Sequence, residues 1–281
     1  MTQHLIVPVD GSDSSWAAVD VAVSLARRIA AVVRVVEVVF DPADAADAEA
    51  RLGAGIAEVD ALDVDLELDV LTSDTSVAAA IESVLETSPG TTVVMSSHGR
   101  GRSAALVGSV AEDILLRTFG PIIIVGPHVE VGDFTGPIIA TADGSDESEA
   151  ALPLAASWGI ELGVAPWIVH VAAEVIDGQI EGIDTVYTSR LARELSERTG
   201  HPVHFEELHD SHAWTAVPEF ASRIDASLIV ASSHGRSGLS RLTVGSVTAG
   251  FVRHATCPVM VVRLPHHTKR WDEEDARLWA M

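Results

Sequence analysis

Short apolar runs alternate with longer stretches of helical spacing along the whole chain. Leu5–Val9 is a continuous apolar run, and Asp13–Ala31 carries the i, i+3, i+4 spacing of an amphipathic helix. Val32–Phe40 reads as a strand, Pro42–Val59 as an Ala-rich acidic helix, Asp65–Leu71 as a strand and Val77–Glu86 as a helix. Thr92–Met95 then reads as a buried strand, Gly108–Thr118 as a helix and Ile122–Val125 as a last strand. The order recurs with strands Ile138–Ala142, Ala165–Val171, His201–Leu208, Leu228–Ala231 and Val259–Val262. Between them fall helices Glu147–Leu162, Gln179–Thr199, Ala213–Ile224 and Gly245–His254. Short apolar strands separated by helices predict an α/β fold with a parallel sheet covered on both faces. Five strands per half predict two doubly wound sheets, which take ligands at the carboxyl ends of strands where the strand order reverses.

The recurrence extends to individual residues. Asp10-Gly11-Ser12 returns as Asp143-Gly144-Ser145, an offset of 133. Ser96-Ser97-His98-Gly99-Arg100 returns as Ser232-Ser233-His234-Gly235-Arg236, and Gly108-Ser109 as Gly245-Ser246, at offsets of 136 and 137. Pro121 and Pro258, which lead the last strands, are also 137 apart. So small a drift over a whole domain marks a tandem duplication. The expected units are residues 1–127 and 136–264, with a tail over 265–281. Gly132, Asp133 and Gly136 break the pattern and place the linker near Pro127–Gly136. In the tail, Trp271, Leu278 and Trp279 sit at helical spacing, as a short docked helix or an interaction peptide would have them.

The repeated loops carry the candidate chemistry. Gly99 and Gly235 allow a ligand close to the backbone, and Gly108-Ser109 and Gly245-Ser246 open the last helices. Free N–H groups and the helix dipole at such a start favour an anion. One such loop would read as an ordinary capped turn; two, each after a buried strand and paired with Asp-Gly-Ser, favour phosphate. Asp10 and Asp143 beside a phosphate need Mg²⁺ or a ribose hydroxyl between them and the charge. Their alternative role is helix capping, but Ser12 or Asp13, and Ser145 or Asp146, already serve as caps, which partly frees the two aspartates. His98 and His234 have no second ligand at metal spacing and read as loop histidines bound to backbone. Cys257, before Pro258, reads as packing.

Composition narrows the classes. The net charge of −23 disfavours nucleic acid and anionic membranes as partners. No stretch is apolar enough to span a bilayer, and the start has no basic region of a leader. One cysteine in 281 residues rules out an intrachain disulfide, so a cytoplasmic setting is expected. The single lysine is Lys269, and no Gly-x4-Gly-Lys-(Ser/Thr) is present, so P-loop ATPase chemistry is excluded.

These residues resemble the universal stress protein family in tandem form. Its nucleotide motif, Gly-x2-Gly-x9-Gly-(Ser/Thr), is matched by Ser232-x2-Gly235-x9-Gly245-Ser246 and, one residue shorter, by Ser96-x2-Gly99-x8-Gly108-Ser109. Both copies put Ser at the first Gly. The resemblance implies strand order 3-2-1-4-5 in each half and last strands paired with each other as an internal pseudo-dimer, with a further homodimer compatible. It implies ATP or another adenine nucleotide, with Mg²⁺, in a regulatory role in stress or dormancy. Asp10, Val38, Ser96, Gly99, Gly108 and Ser109 would line the first site, and Asp143, Val171, Ser232, Gly235, Gly245 and Ser246 the second. Val38 and Val171 would lie near the adenine. The second copy keeps the full interval and is expected to bind more tightly. The alternatives are a nucleotide-free interaction scaffold of the same fold and a slow Mg²⁺-dependent ATPase.

Overall fold

The computed structural model describes residues 3–61, 63–88, 90–99, 108–172, 185–233 and 245–263. In the first half, β1 (His4–Pro8), β2 (Val32–Val39), β3 (Leu66–Thr72), β4 (Thr91–Ser96) and β5 (Gly120–Val125) alternate with α1 (Asp13–Ile29), α2 (Ala45–Ile56), α3 (Val77–Thr87) and α4 (Ser109–Arg117). In the second, β6 (Ile138–Thr141), β7 (Pro166–Ala172), β8 (His204–His209), β9 (Leu228–Ser232) and β10 (Val259–Arg263) alternate with α5 (Asp146–Ala150), α6 (Leu152–Leu162), α7 (Thr185–Thr199), α8 (Ala213–Arg223) and α9 (Ser246–His254).

All ten strands form one sheet in the order β3-β2-β1-β4-β5-β10-β9-β6-β7-β8. Each half has the order 3-2-1-4-5, parallel throughout, and the halves join through β5 and β10, which run antiparallel. Ile124 pairs with Val259, Ile123 with Met260 and Ile122 with Val261. These six side chains are all buried, so the seam is continuous with the core on both faces of the sheet. The pairing also removes two strand edges that would otherwise expose unpaired backbone groups. One apolar layer lies under α1, α6 and α7 and the other under α3, α4, α8 and α9, which is why the central strands read as unbroken hydrophobic runs.

Two helices depart from expectation. The stretch expected as one helix over Glu147–Leu162 is two, α5 and α6, meeting at Ala151. Pro153 has no N–H to give to the Glu149 carbonyl, so the first helix stops and a second starts. Similarly, Pro42 opens a 3₁₀ turn, Pro42–Asp44, and α2 begins only after it. The first six residues of the expected Gln179–Thr199 helix and the tail over 265–281 lie outside the described residues. Between β5 and β6, residues 126–137 hold no helix or strand. They are nonetheless fastened: Glu130 N–H donates to the Thr256 carbonyl at 3.0 Å, and Phe134 is buried in the core.

Candidate functional site

β1 and β4 are neighbours, and the chain leaves them toward opposite faces of the sheet, to α1 and onward to α4. That is the reversal point at which a doubly wound sheet opens a crevice. Asp10 follows β1 and Ser96 ends β4, so both reach the same crevice. The second half repeats this with β6, β9, Asp143 and Ser232.

The Asp-Gly-Ser turn is built identically in both halves. Asp10 Oδ1 accepts from the Ser12 N–H at 3.0 Å and from the Ser12 hydroxyl at 2.6 Å; Asp143 Oδ1 accepts from Ser145 at the same two distances. Ser12 and Ser145 are the N-caps of α1 and α5, accepting from the N–H of Ser15 and Ser148 at 3.3 and 3.2 Å. Ser15 and Ser148 return a hydroxyl bond to the cap carbonyls and accept from the Asp10 and Asp143 N–H groups. The aspartates are therefore not released by the caps. One carboxylate oxygen of each anchors the capping serine, and Asp10 Oδ2 lies where a Cβ on Gly99 would stand.

The far wall is the start of the last helix. Gly108 and Gly245, not the following serines, are the N-caps of α4 and α9, and neither helix has a side-chain cap. Their φ values of −65° and −55° suit any residue, so conformation does not demand glycine here. Space does: a Cβ at Gly108 would meet the Ser97 carbonyl oxygen at 2.8 Å, and one at Gly245 the Ser233 carbonyl oxygen at 3.2 Å. The same carbonyls accept the Gly108 and Gly245 N–H groups at 2.7 and 3.0 Å. The helix starts are thus fastened to the ends of β4 and β9, and the N–H groups of their first turns lack intrahelical acceptors.

Asp10, Val38, Ser96, Gly99, Gly108 and Ser109 line one cleft of about 420 Å³. Asp143, Val171, Ser232, Gly245 and Ser246 line a second of about 260 Å³. Gly235 lies outside the described residues. His98 holds Ser97 Oγ at 3.0 Å from its Nδ1 and also lines the first cleft. Cys257 belongs to neither cleft; it is buried, and burial pushes its thiol up to about 12. Such a thiol supplies no thiolate nucleophile at neutral pH.

The second strands contribute residues that motif reading passed over. Glu37 lines the first cleft and is held by Arg51, whose Nη2 donates to Glu37 Oε1 at 2.5 Å. Its counterpart at offset 133 is His170, buried, with Nδ1 2.7 Å from the Ala142 carbonyl oxygen. A carbonyl only accepts, so Nδ1 carries a proton. Phe40 also lines the first cleft. The available signal was position: all three sit with Val38 and Val171 at the carboxyl ends of β2 and β7. Among the described residues no three His, Cys, Asp or Glu side chains converge as a metal cage. No described helix is long and apolar enough to cross a membrane.

Comparison with known proteins places the chain. The model of the universal stress protein family matches residues 1–126 and again 135–263. Universal stress protein Rv2005c of Mycobacterium tuberculosis is 31% identical over 183 residues, 61% of this chain and 61% of that protein. Universal stress protein Rv2623 of the same organism is 28% identical over 203 residues, 66% of each. The chain thus matches about three fifths of the length of the first of these curated relatives. The crystal structure of a universal stress protein from Archaeoglobus fulgidus DSM 4304 superposes with a TM-score of 0.71 at 20% identity, over 92% of this chain and 98% of that one, a likeness of fold. Two matches to one family model, falling on two halves that share strand order, Asp-Gly-Ser turn and Gly-led last helix, mean that the chain belongs to the universal stress protein family.

Proposed function

We propose that the chain binds ATP or another adenine nucleotide in its clefts and acts as a regulatory protein of the stress response or of dormancy, in the cytoplasm. One observation carries the reading. In each half, a carboxylate, a helix start with no side-chain cap and an apolar strand end surround one cleft. A nucleotide needs those three things: donors for phosphate, an acceptor for ribose hydroxyls or a bound cation, and an apolar wall for the base. Ser109 and Ser246 add hydroxyl donors at the helix starts.

The donor set also bears on Mg²⁺. Each cleft has one Asp at its helix turn, with Oδ1 already accepting from a serine. That fits Mg²⁺ held mainly by phosphates and water, with Asp10 or Asp143 as the protein's contribution, and not a protein-only cage. Bound there, the ion would neutralise phosphate charge next to the carboxylate.

The test is to denature the purified protein, identify any released nucleotide, and titrate the emptied protein with MgATP by calorimetry. The reading expects a saturable binding heat and a rise in unfolding temperature. A site filled to a hundred times its Kd adds about 2.7 kcal/mol of stability. Neither heat nor a thermal shift at millimolar MgATP would refute it and leave the scaffold reading in its place.

A further inference from the structure

The two clefts differ at one wall. Phe40 follows the last residue of β2 and stands 59% exposed, yet lines the first cleft. It is packed in neither hydrophobic core, so the fold does not account for an aromatic ring there. The same cleft is walled by Val38, Val77 and Met95. The offset of 133 that maps Val38 onto Val171 maps Phe40 onto Ala173, which carries no ring. The offset of 136 that maps His98 onto His234 maps Met95 onto Ala231 and Val77 onto Ala213, and both alanines line the second cleft. The first cleft has the exposed Phe40 ring and Met95 in its wall and, among the described residues, the larger space, about 420 against 260 Å³.

Resting on the nucleotide reading above, we infer that Phe40 is a base-stacking residue, and that the first cleft, not the second, selects for a purine base. A planar heterocycle gains from an accessible phenyl face, and a purine offers more π-surface than a pyrimidine. The second cleft is lined by aliphatic side chains and by the Phe251 and His170 rings, but both rings are buried in the fold and present no accessible face, so this cleft holds phosphate and ribose with less discrimination of the base. The intact loop spacing of the second copy concerns the phosphates; the base is read at the end of β2.

Calorimetric titration of ATP and CTP into the full chain tests this. Phe40→Ala removes an exposed ring, so the fold is retained, as a thermal melt will verify. Gly108→Val drives a side chain into the Ser97 carbonyl and so marks which binding class belongs to the first cleft. The expected result is that Phe40→Ala weakens ATP binding in the class lost in Gly108→Val by about 5-fold to about 100-fold, the range for one base–aromatic stack, and erases its preference over CTP. Phe40→Trp should restore affinity and add an indole emission that ATP quenches. If Phe40→Ala titrates as wild type while Gly108→Val loses a class, the stacking inference fails and the nucleotide reading stands. If the wild-type protein takes up no ATP at all, both fail together.

Discussion

Replacing Gly108 and Gly245 separately with alanine puts the same side chain at the same place in each half. Neither site penalises Ala through its backbone, because both φ values are negative and both ψ values extended. What differs is room: 2.8 Å to the Ser97 carbonyl oxygen in the first half, 3.2 Å to the Ser233 carbonyl oxygen in the second. An ordinary carbon–oxygen contact needs about 3.4 Å or more, so α4 must retreat from β4 by about half an ångström, and α9 from β9 by much less. The first shift stretches the 2.7 Å bond from Gly108 N–H to that same carbonyl; the second relaxes within a bond already 3.0 Å long. Overpacking of this kind costs about 1–3 kcal/mol, while Gly→Ala at a compatible site gains about 0.4–1 kcal/mol through the unfolded chain. Gly108→Ala is therefore expected to lower the unfolding temperature by up to about 10 °C, and Gly245→Ala to leave it unchanged or raise it slightly. Calorimetric or circular-dichroism melts of both variants decide the matter. Equal losses in the two, or a larger one in Gly245→Ala, would show that carbonyl proximity does not set these positions.

Asp143→Ala removes the acceptor of two bonds from Ser145 and is expected to cost about 1.5–3 kcal/mol in urea unfolding, with Asp143→Asn recovering part of it; wild-type stability in the alanine variant would remove the anchoring role. At the seam, Ile122→Ala and Val261→Ala touch directly opposed buried residues, so their double-mutant cycle should show a coupling of about 0.5–3 kcal/mol, and strict additivity would argue against the β5–β10 pairing. Cys257 should resist thiol reagents in the native protein and react once denatured. Its folded-state thiol is pushed up to about 12, above the usual value, so the unfolded chain loses its proton first as pH rises. The stability tied to the protonated thiol is full below about pH 9 and falls by up to about 1.4 kcal/mol per pH unit from there toward 12, a slope that Cys257→Ala should lack.

Strand positions were the most legible part of the chain. β4, β5, β9 and β10 are buried on both faces over their central residues, which therefore run apolar almost without interruption, a pattern visible without neighbours. Helix ends were less so. The break between α5 and α6 rests on Pro153, whose single missing N–H is hidden by the helical spacing around it. For the clefts, the residues carried by loops with Gly, Ser and Asp stood out by composition and by repetition. Glu37, Phe40 and His170 did not, because a strand-end residue acquires its role only from the crevice beside it.

By itself the sequence determined the α/β alternation, the duplication and the pairing of an Asp-Gly-Ser turn with a Gly-led helix in each half. All of these are written in local periodicity and in residues a fixed distance apart. The pairing of β5 with β10 was implied by family resemblance; its antiparallel sense and register are visible only in the fold, since backbone bonds between strands leave no mark on side-chain pattern. Tertiary structure also decided that the aspartates anchor the capping serines, and that the two clefts carry different walls. The physical reason is common to both: a carboxylate's partner and a ring's exposure are set by atoms brought together in space, and spacing along the chain specifies neither.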